Sequence, residues 1–357
     1  MTGMREPQLE QRLASNIRPD RISWKVRLGA YVEACRLDLI FYSGLVGLVG
    51  AVLASDHWEV LRLVGVWAAP TLGWIAAMYG GDYFDRKLDA IAKPHRPIPS
   101  GRMTAAEAFG GMVLGIALGT VIAVVLNPWN LIVVVITAFF GISYSRWFKA
   151  RGIWGNVFRG GVTAGAFTLG IMSTGQPVPL ELLPLALVFW LHDSGSNIIG
   201  TICDREGDRQ GGYQTIPVKY GDGVALRILL VFDALWVALA LGYPWLLAGR
   251  FAIAPYLAFL SVALLAGLVT LAMLYRAPRP ISRFTALAAH EVLVVGRLVL
   301  AAAFVAAAGS TWLALILLVP SVTGTVAASG FLMRPRYEPR RKRWYQREVE
   351  DPRRAVN

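Results

Sequence analysis

The sequence predicts an all-α, polytopic transmembrane helical bundle of nine to ten spans around a central cavity. Three observations predict it. Hydrophobic residues make up 55% of the 357 and charged residues only 16%, where a soluble domain carries nearer ~25% charged. The apolar residues fall in long runs rich in Ala, Leu and Gly, without the alternation a barrel strand would show. The basic residues gather in every second connection, as membrane orientation requires. A soluble enzyme, a secreted domain and a disordered scaffold are excluded, because only lipid can solvate so much apolar surface.

Residues 1–22 are polar, and 23–38 mix aromatic, aliphatic and basic positions as an interfacial helix would. No cleaved signal peptide is expected, since the first 38 residues carry seven basic residues and no apolar run. A helix needs ~20 apolar residues to cross ~30 Å of hydrocarbon. Ten segments qualify in order: 39–54, 61–80, 104–126, 130–144, 157–174, 183–201, 225–247, 251–275, 286–309 and 312–333. The expected organisation is an N-terminal cytoplasmic segment 1–38, a transmembrane domain 39–333 and a basic cytoplasmic tail 334–357.

Thirty of the 35 Lys and Arg residues lie in the N-terminal segment, the tail and the connections at 82–103, 145–156, 202–224 and 276–285. The connections at 55–60, 127–129, 175–182 and 310–311 hold none, and 248–250 holds Arg250 alone. Both termini and the basic loops are therefore expected in the cytoplasm of an integral protein of the cytoplasmic membrane, which requires an even number of spans. Ten is the count this favours. The net charge of +12 is read as topology, with the tail drawn to anionic lipid heads; no nucleic-acid partner is expected. Cys35 and Cys203 are too few for a disulfide framework or a zinc cluster.

Acidic residues are scarce, so where they gather is informative. The second span runs into Asp82, Asp85 and Asp89, whose i, i+3, i+7 spacing puts three carboxylates on one helical face if the helix continues. The sixth runs into Asp204 and Asp208, an i, i+4 pair, and Asp193 and Asn197 extend that stripe backwards. Each cluster is followed by an Ile-Pro pair in a Gly-containing turn, Pro97 to Gly101 and Thr215 to Gly221, a faint sign of internal duplication. Like charges so close repel, and more so in lowered dielectric. They call for a cation, and magnesium (Mg2+) suits carboxylates shared with phosphate oxygens. Lys93, Arg96 and Arg102, with Arg146 and Lys149 after the fourth span, could grip the phosphates directly. Solvated acidic loops are the plain alternative, and two clusters at matching depth argue against it.

The pattern DYFDxxxDxxxKPxRPIPSG from Asp82 to Gly101, with DxEGDRxxGxxTxPVxxG from Asp204 to Gly221, closely resembles the UbiA superfamily of intramembrane prenyltransferases, which includes membrane terpene cyclases. The resemblance spans roughly residues 30–310. It implies a helical bundle with a cavity open laterally to lipid, and two aspartate motifs that bind a prenyl diphosphate through magnesium. It implies metal and diphosphate at Asp85, Asp89, Asp204 and Asp208, diphosphate contacts at Arg96 and Lys149, and help from Tyr144 and, more weakly, Arg36. The family's first motif reads NxxxDxxxD, whereas Gly81 stands here at its leading position. Asp82 or a water fills that place, or Asn197 compensates from the other cluster. The family also usually has nine spans, one fewer than the charge pattern favours.

Magnesium and cationic side chains spread the leaving group's charge, and a dry cavity protects the allylic cation that remains. Trp67, Trp74, Phe139, Phe140, Phe158, Phe167, Phe189 and Trp190 lie in spans that could present aromatic faces, although each read singly is a packing or lipid-facing residue. His192 and Asp193 are candidates for acceptor or proton handling, or form an interhelical hydrogen bond; His290, Glu291 and Arg297 read as a paired structural network. Cys203 reads as a small residue. The expected activity is transfer of a prenyl group from a polyprenyl diphosphate to a small or lipophilic acceptor. Intramolecular cyclisation is the alternative and an ion-coupled transporter a remote one. Prenyl diphosphate, lipophilic acceptor and the lipid bilayer are the expected partners.

Overall fold

A computed structural model describes residues 22–55, 57–174, 179–247, 249 and 251–333. Most of the polar N-terminal stretch and the basic tail 334–357 lie outside the described residues. The helices are α1 Trp24–Ala34, α2 Phe41–Ala54, α3 Val60–Phe84, α4 Arg86–Ala92, α5 Ala105–Leu126, α6 Asn130–Ser143, α7 Ile153–Met172, α8 Ala186–Gln210, α9 Ile216–Leu246, α10 Ile253–Arg276, α11 Arg283–Ala307 and α12 Thr311–Ala327. Among the described residues there is no β-strand beyond one isolated bridge between Arg151 and Gln214.

Each of the ten expected spans coincides with a helix. Eight are long and apolar enough to cross a bilayer alone, and α1 with α2, bent by 47° at a short break, make a ninth. The difference lies in α7. Its 20 residues reach ~30 Å, yet it carries Asn156, Arg159, Thr163 and several glycines. It packs against α2, α6 and α8, so its polar side faces protein and needs no apolar coat.

Local chemistry explains the boundaries. Thr104 and Glu107 form a reciprocal capping box that starts α5 (3.1 and 2.7 Å). Ser282 Oγ accepts from the Thr285 amide (3.1 Å) and starts α11. Gly221, at φ 77°, interrupts α9 after its first turn, a backbone that few other residues tolerate. Arg36, in the connection between α1 and α2, has a left-handed backbone at φ 48°, ψ 65°. For a residue with a Cβ this costs roughly 1–2 kcal/mol.

α2, α8 and α11 are inner helices, and 11 of the 14 residues of α2 are buried. Of the apolar windows of α8 and α11, 61% and 72% is buried, against 11–28% for the other six single spans. The outer helices instead present Val121, Val125, Leu246, Leu265 and Trp312 on the surface, as lipid contact requires. α2 and α7 approach backbone to backbone: a Cβ on Gly170 would stand 1.9 Å from the Gly47 carbonyl oxygen, and one on Gly50 would stand 2.2 Å from that of Phe167. Small residues are what permit such contact between membrane helices. Gly170→Ala is therefore expected to destabilise the protein by about 1–3 kcal/mol, measurable as a lower melting temperature in detergent.

Candidate active site

The two acidic segments meet through the helices that carry them. α3 delivers the first, and its hydrogen-bonding continues across Asp85 into α4: the Asp85 amide donates to the Gly81 carbonyl (2.9 Å) and the Asp89 amide to that of Asp85 (2.8 Å). α8 delivers the second without a break. Between them lies a polar chamber walled by Asp85, Asp193, Asp204 and Asp208, by Arg36, Arg96, Lys149, Arg159 and Arg297, and by Gly81, Tyr144, Ser196, Asn197, Thr215 and His290.

Almost every carboxylate is covered by a cation from another element. Lys149 Nζ donates to Asp85 Oδ2. Arg96 Nη1 donates to Asp89 Oδ2 at 2.7 Å and stands 3.5 Å from Asp82 Oδ1, with Arg36 Nη2 at 3.7 Å from the same oxygen. Lys93 Nζ donates to both oxygens of Asp204 (2.8 and 2.9 Å), and Arg283 Nη1 donates to Asp204 Oδ1 (2.7 Å). Asp208 Oδ2 accepts from Thr215 Oγ1 (3.2 Å). A π turn over Tyr144–Phe148 widens the end of α6, so that Tyr144 and Lys149 both turn inward; the Tyr144 hydroxyl donates to Asn197 Oδ1 (3.3 Å). Such bulges recur at functional sites. Burial works against the charge of Lys149, but Asp85 outweighs it and holds the ammonium well above its ordinary pKa. Lys93 is pushed down by burial and by nearby Arg96, with Asp204 opposing.

The three first-motif carboxylates do not act as one face. Asp82 and Asp89 converge on Arg96 and stay out of the chamber wall, while Asp85 enters it. The cause is the cationic partners: Arg96 closes back onto one side of the α3–α4 segment and Lys149 approaches the other. Arg146 stands exposed against Trp147, because the π turn sends Tyr144 and Lys149 inward and Arg146 outward. Arg102 binds Glu33 (2.6 and 3.1 Å) and pins α1 to the motif loop. At Gly81 an added Cβ would meet no atom within 4 Å, so the place of the usual Asn is open chamber. Asn197 faces the same chamber.

Two charged residues at the site are not among the candidates read from the sequence. Arg283 counts as topology in the charge pattern, yet it reaches Asp204 from the start of α11. Arg159 interrupts an apolar span, and an intramembrane charge is a functional signal in itself.

Next to the chamber lies an apolar cavity between α3, α5, α6 and α7, lined by Gly73, Ala76, Gly80, Gly115, Gly119, Ala138, Gly165 and Leu169. The two share Trp74, Ala77, Gly141, Ser145 and Val162 as common wall. A charged head and a long apolar tail thus find adjoining compartments. Of the eight candidate aromatics, Trp74 alone borders both.

The chain is similar to known proteins. The digeranylgeranylglyceryl phosphate synthase of Ignicoccus hospitalis is 31% identical over 257 residues, covering 69% of this chain and 80% of that protein. A solved structure concerned with digeranylgeranylglyceryl phosphate synthase in membranes is 26% identical, with a TM-score of 0.60 over 79% of this chain and 98% of its own. A UbiA homolog from Archaeoglobus fulgidus bound to DMAPP and Mg2+ shares the fold at 17% identity, with a TM-score of 0.60 over 76% of this chain and 99% of its own. The family model of the UbiA prenyltransferases matches residues 42–280; with both aspartate motifs inside that stretch, the chain belongs to the UbiA prenyltransferase family.

Proposed function

We propose that the chain is a magnesium-dependent intramembrane enzyme that joins the prenyl group of a prenyl diphosphate to the hydroxyl of a lipophilic acceptor. The observation that carries this reading is the chamber itself: paired carboxylates and cations on one side of a shared wall, an apolar cavity on the other. The digeranylgeranylglyceryl phosphate synthase relatives support an acceptor of the alkylglyceryl phosphate class. A product of that name holds two geranylgeranyl groups, so an acceptor already holding one would receive the second.

The residues fit magnesium. The donors are carboxylate oxygens, and the buried Asp85 Oδ1 and Asp82 Oδ2 have no hydrogen-bond partner among the described residues. Asp85, Asp204 and Asp208 from the wall, with Asp89 and Asp82 behind, would hold the metal, and the metal would supply positive charge to the leaving diphosphate. Lys93 and Arg283 now pair with Asp204, Lys149 with Asp85, and Arg96 with Asp89 and Asp82. The same cations would bind the oxygens of an entering diphosphate, and the carboxylates would then be free to hold the ion. The C1–O bond then breaks with its electron pair leaving on the diphosphate, the acceptor oxygen bonds to C1, and its proton passes to the departing diphosphate. The apolar cavity keeps water from the allylic cation.

The transferases among the relatives favour transfer over cyclisation, and the gathering of carboxylates at helix ends argues against a midplane transport site. With magnesium and geranylgeranyl diphosphate, product is expected only when acceptor is supplied; a cyclic hydrocarbon formed without it would overturn the transferase reading. Asp85→Ala and Asp204→Ala are each expected to lower turnover by ~10²–10³-fold, measured as magnesium-dependent diphosphate release. Gly73 borders the apolar cavity with no atom within 4 Å of an added Cβ. Gly73→Phe should fill the tail space, and lower kcat/KM for a C20 diphosphate relative to a C10 one by about tenfold or more. The basic loops support a cytoplasmic-membrane orientation with both termini and the motif loops on the cytoplasmic side. In intact cells, a cysteine introduced at Glu59 should react with an impermeant maleimide and one at Arg209 should not.

A further inference from the structure

Inward from the aspartate motifs, the chamber has a second charged region that the diphosphate reading leaves without a ligand. It surrounds Asp193, eleven residues before Asp204 on unbroken α8 and so ~16 Å deeper along the helix. Thr163 Oγ1 donates to Asp193 Oδ2 at 2.8 Å. Arg159 of α7 and Arg297 of α11 approach the same carboxylate at 3.6 and 3.8 Å, beyond a normal hydrogen bond. Each guanidinium also covers an aromatic ring, Arg159 at 4.8 Å over Trp74 and Arg297 at 4.5 Å over Tyr42. Both guanidiniums thus face the Asp193 carboxylate without a close hydrogen bond to it.

The mismatch extends to hydrogen bonds. The Arg297 side chain is 3% exposed, and its Nε and Nη2 have no hydrogen-bond partner among the described residues; nor has Trp74 Nε1. All three atoms are donors that cannot accept. Leaving the donors of a buried charge unmatched is unfavourable, and what would match them is an oxyanion, which accepts only and carries negative charge. Arg159, Arg297, Trp74 and His290 all border the chamber.

We infer that Arg297 and Arg159 form a second oxyanion site, which seats the anionic head of the prenyl acceptor. The inference rests on the transferase reading for the identity of the occupant. The head is a phosphate or a carboxylate on an alkyl chain. Bound there, it is held by arginine donors on the inner side while its neighbouring hydroxyl faces the prenyl diphosphate at the aspartate motifs. Asp193 competes with the head for the same guanidiniums, so it offsets part of their attraction for an oxyanion.

The test is equilibrium binding to the full chain in nanodiscs, with EDTA and without prenyl diphosphate, so that no turnover occurs. The probes are a long-chain alkylglyceryl phosphate, the matching carboxylate and the uncharged alkylglycerol. The phosphate probe should bind at least ~tenfold more tightly than the neutral one; the carboxylate arm identifies which oxyanion fits better. Arg297→Gln should erase the preference and Arg159→Gln reduce it, while Asp193→Asn should preserve or strengthen it, since it removes the competing anion. Equal binding of charged and neutral probes would overturn the proposal. So would a preference that survives Arg297→Gln but vanishes in Lys149→Ala, which would seat the head among the diphosphate cations. Equal loss in Arg297→Gln and Asp193→Asn, in monodisperse protein, would reduce the cluster to a structural network. A protein that shows the expected binding yet transfers no prenyl group when magnesium and geranylgeranyl diphosphate are added would refute the transferase reading and leave the oxyanion site standing.

Discussion

Asp82, Asp85 and Asp89 are each at most 4% exposed, and they sit where α3 and α4 emerge from an apolar bundle. A carboxylate in such surroundings is strongly unfavourable unless a cation lies against it. Much of the local architecture follows from that requirement. The left-handed backbone at Arg36, the π turn before Lys149, the return of the motif loop to Arg96 and the start of α11 at Arg283 each bring a cation from a different element to a carboxylate. The irregular backbone is concentrated where the ion pairs are, while the spans behind them stay regular.

The same pairing makes the chamber responsive to a ligand of mixed charge. A magnesium diphosphate carries both signs, so it can replace each protein cation at a carboxylate and each carboxylate at a cation. Neither set is left uncompensated during the exchange. The shared wall at Trp74, Ala77 and Gly141 sets this polar chemistry directly against the apolar cavity, and the small residues of α3, α5 and α7 keep that cavity open. Rigidity behind the site comes from α8 and α11 in the core and from the glycine contacts between α2 and α7.

The two acidic clusters, Asp82, Asp85 and Asp89 and then Asp204 and Asp208, with basic residues near them, are legible in the sequence because charges gathered at helix ends of an apolar chain are costly there unless they bind something. The helices are legible for a similar reason, as hydropathy depends on composition along the chain. Arg146 and Lys149 are not distinguishable by spacing; a π turn at Tyr144–Phe148 separates them. Arg283 reads as one more cytoplasmic charge, since the rule that orients a membrane protein counts charges without regard to where their side chains reach. α7 meets the length of a span but not its apolarity, because lipid solvation and protein burial satisfy different surfaces.

The sequence by itself determined that the chain is a helical membrane protein, where its spans lie, and that two aspartate motifs stand at helix ends; these follow from local composition and periodicity. Only the tertiary structure decided which carboxylate meets which cation, that Asp82 and Asp89 turn away from the chamber while Asp85 enters it, and that Arg159 and Arg297 gather around Asp193. Those pairings join residues up to 111 positions apart, and electrostatic energy depends on distance in space, to which spacing along the chain is blind beyond a few helical turns.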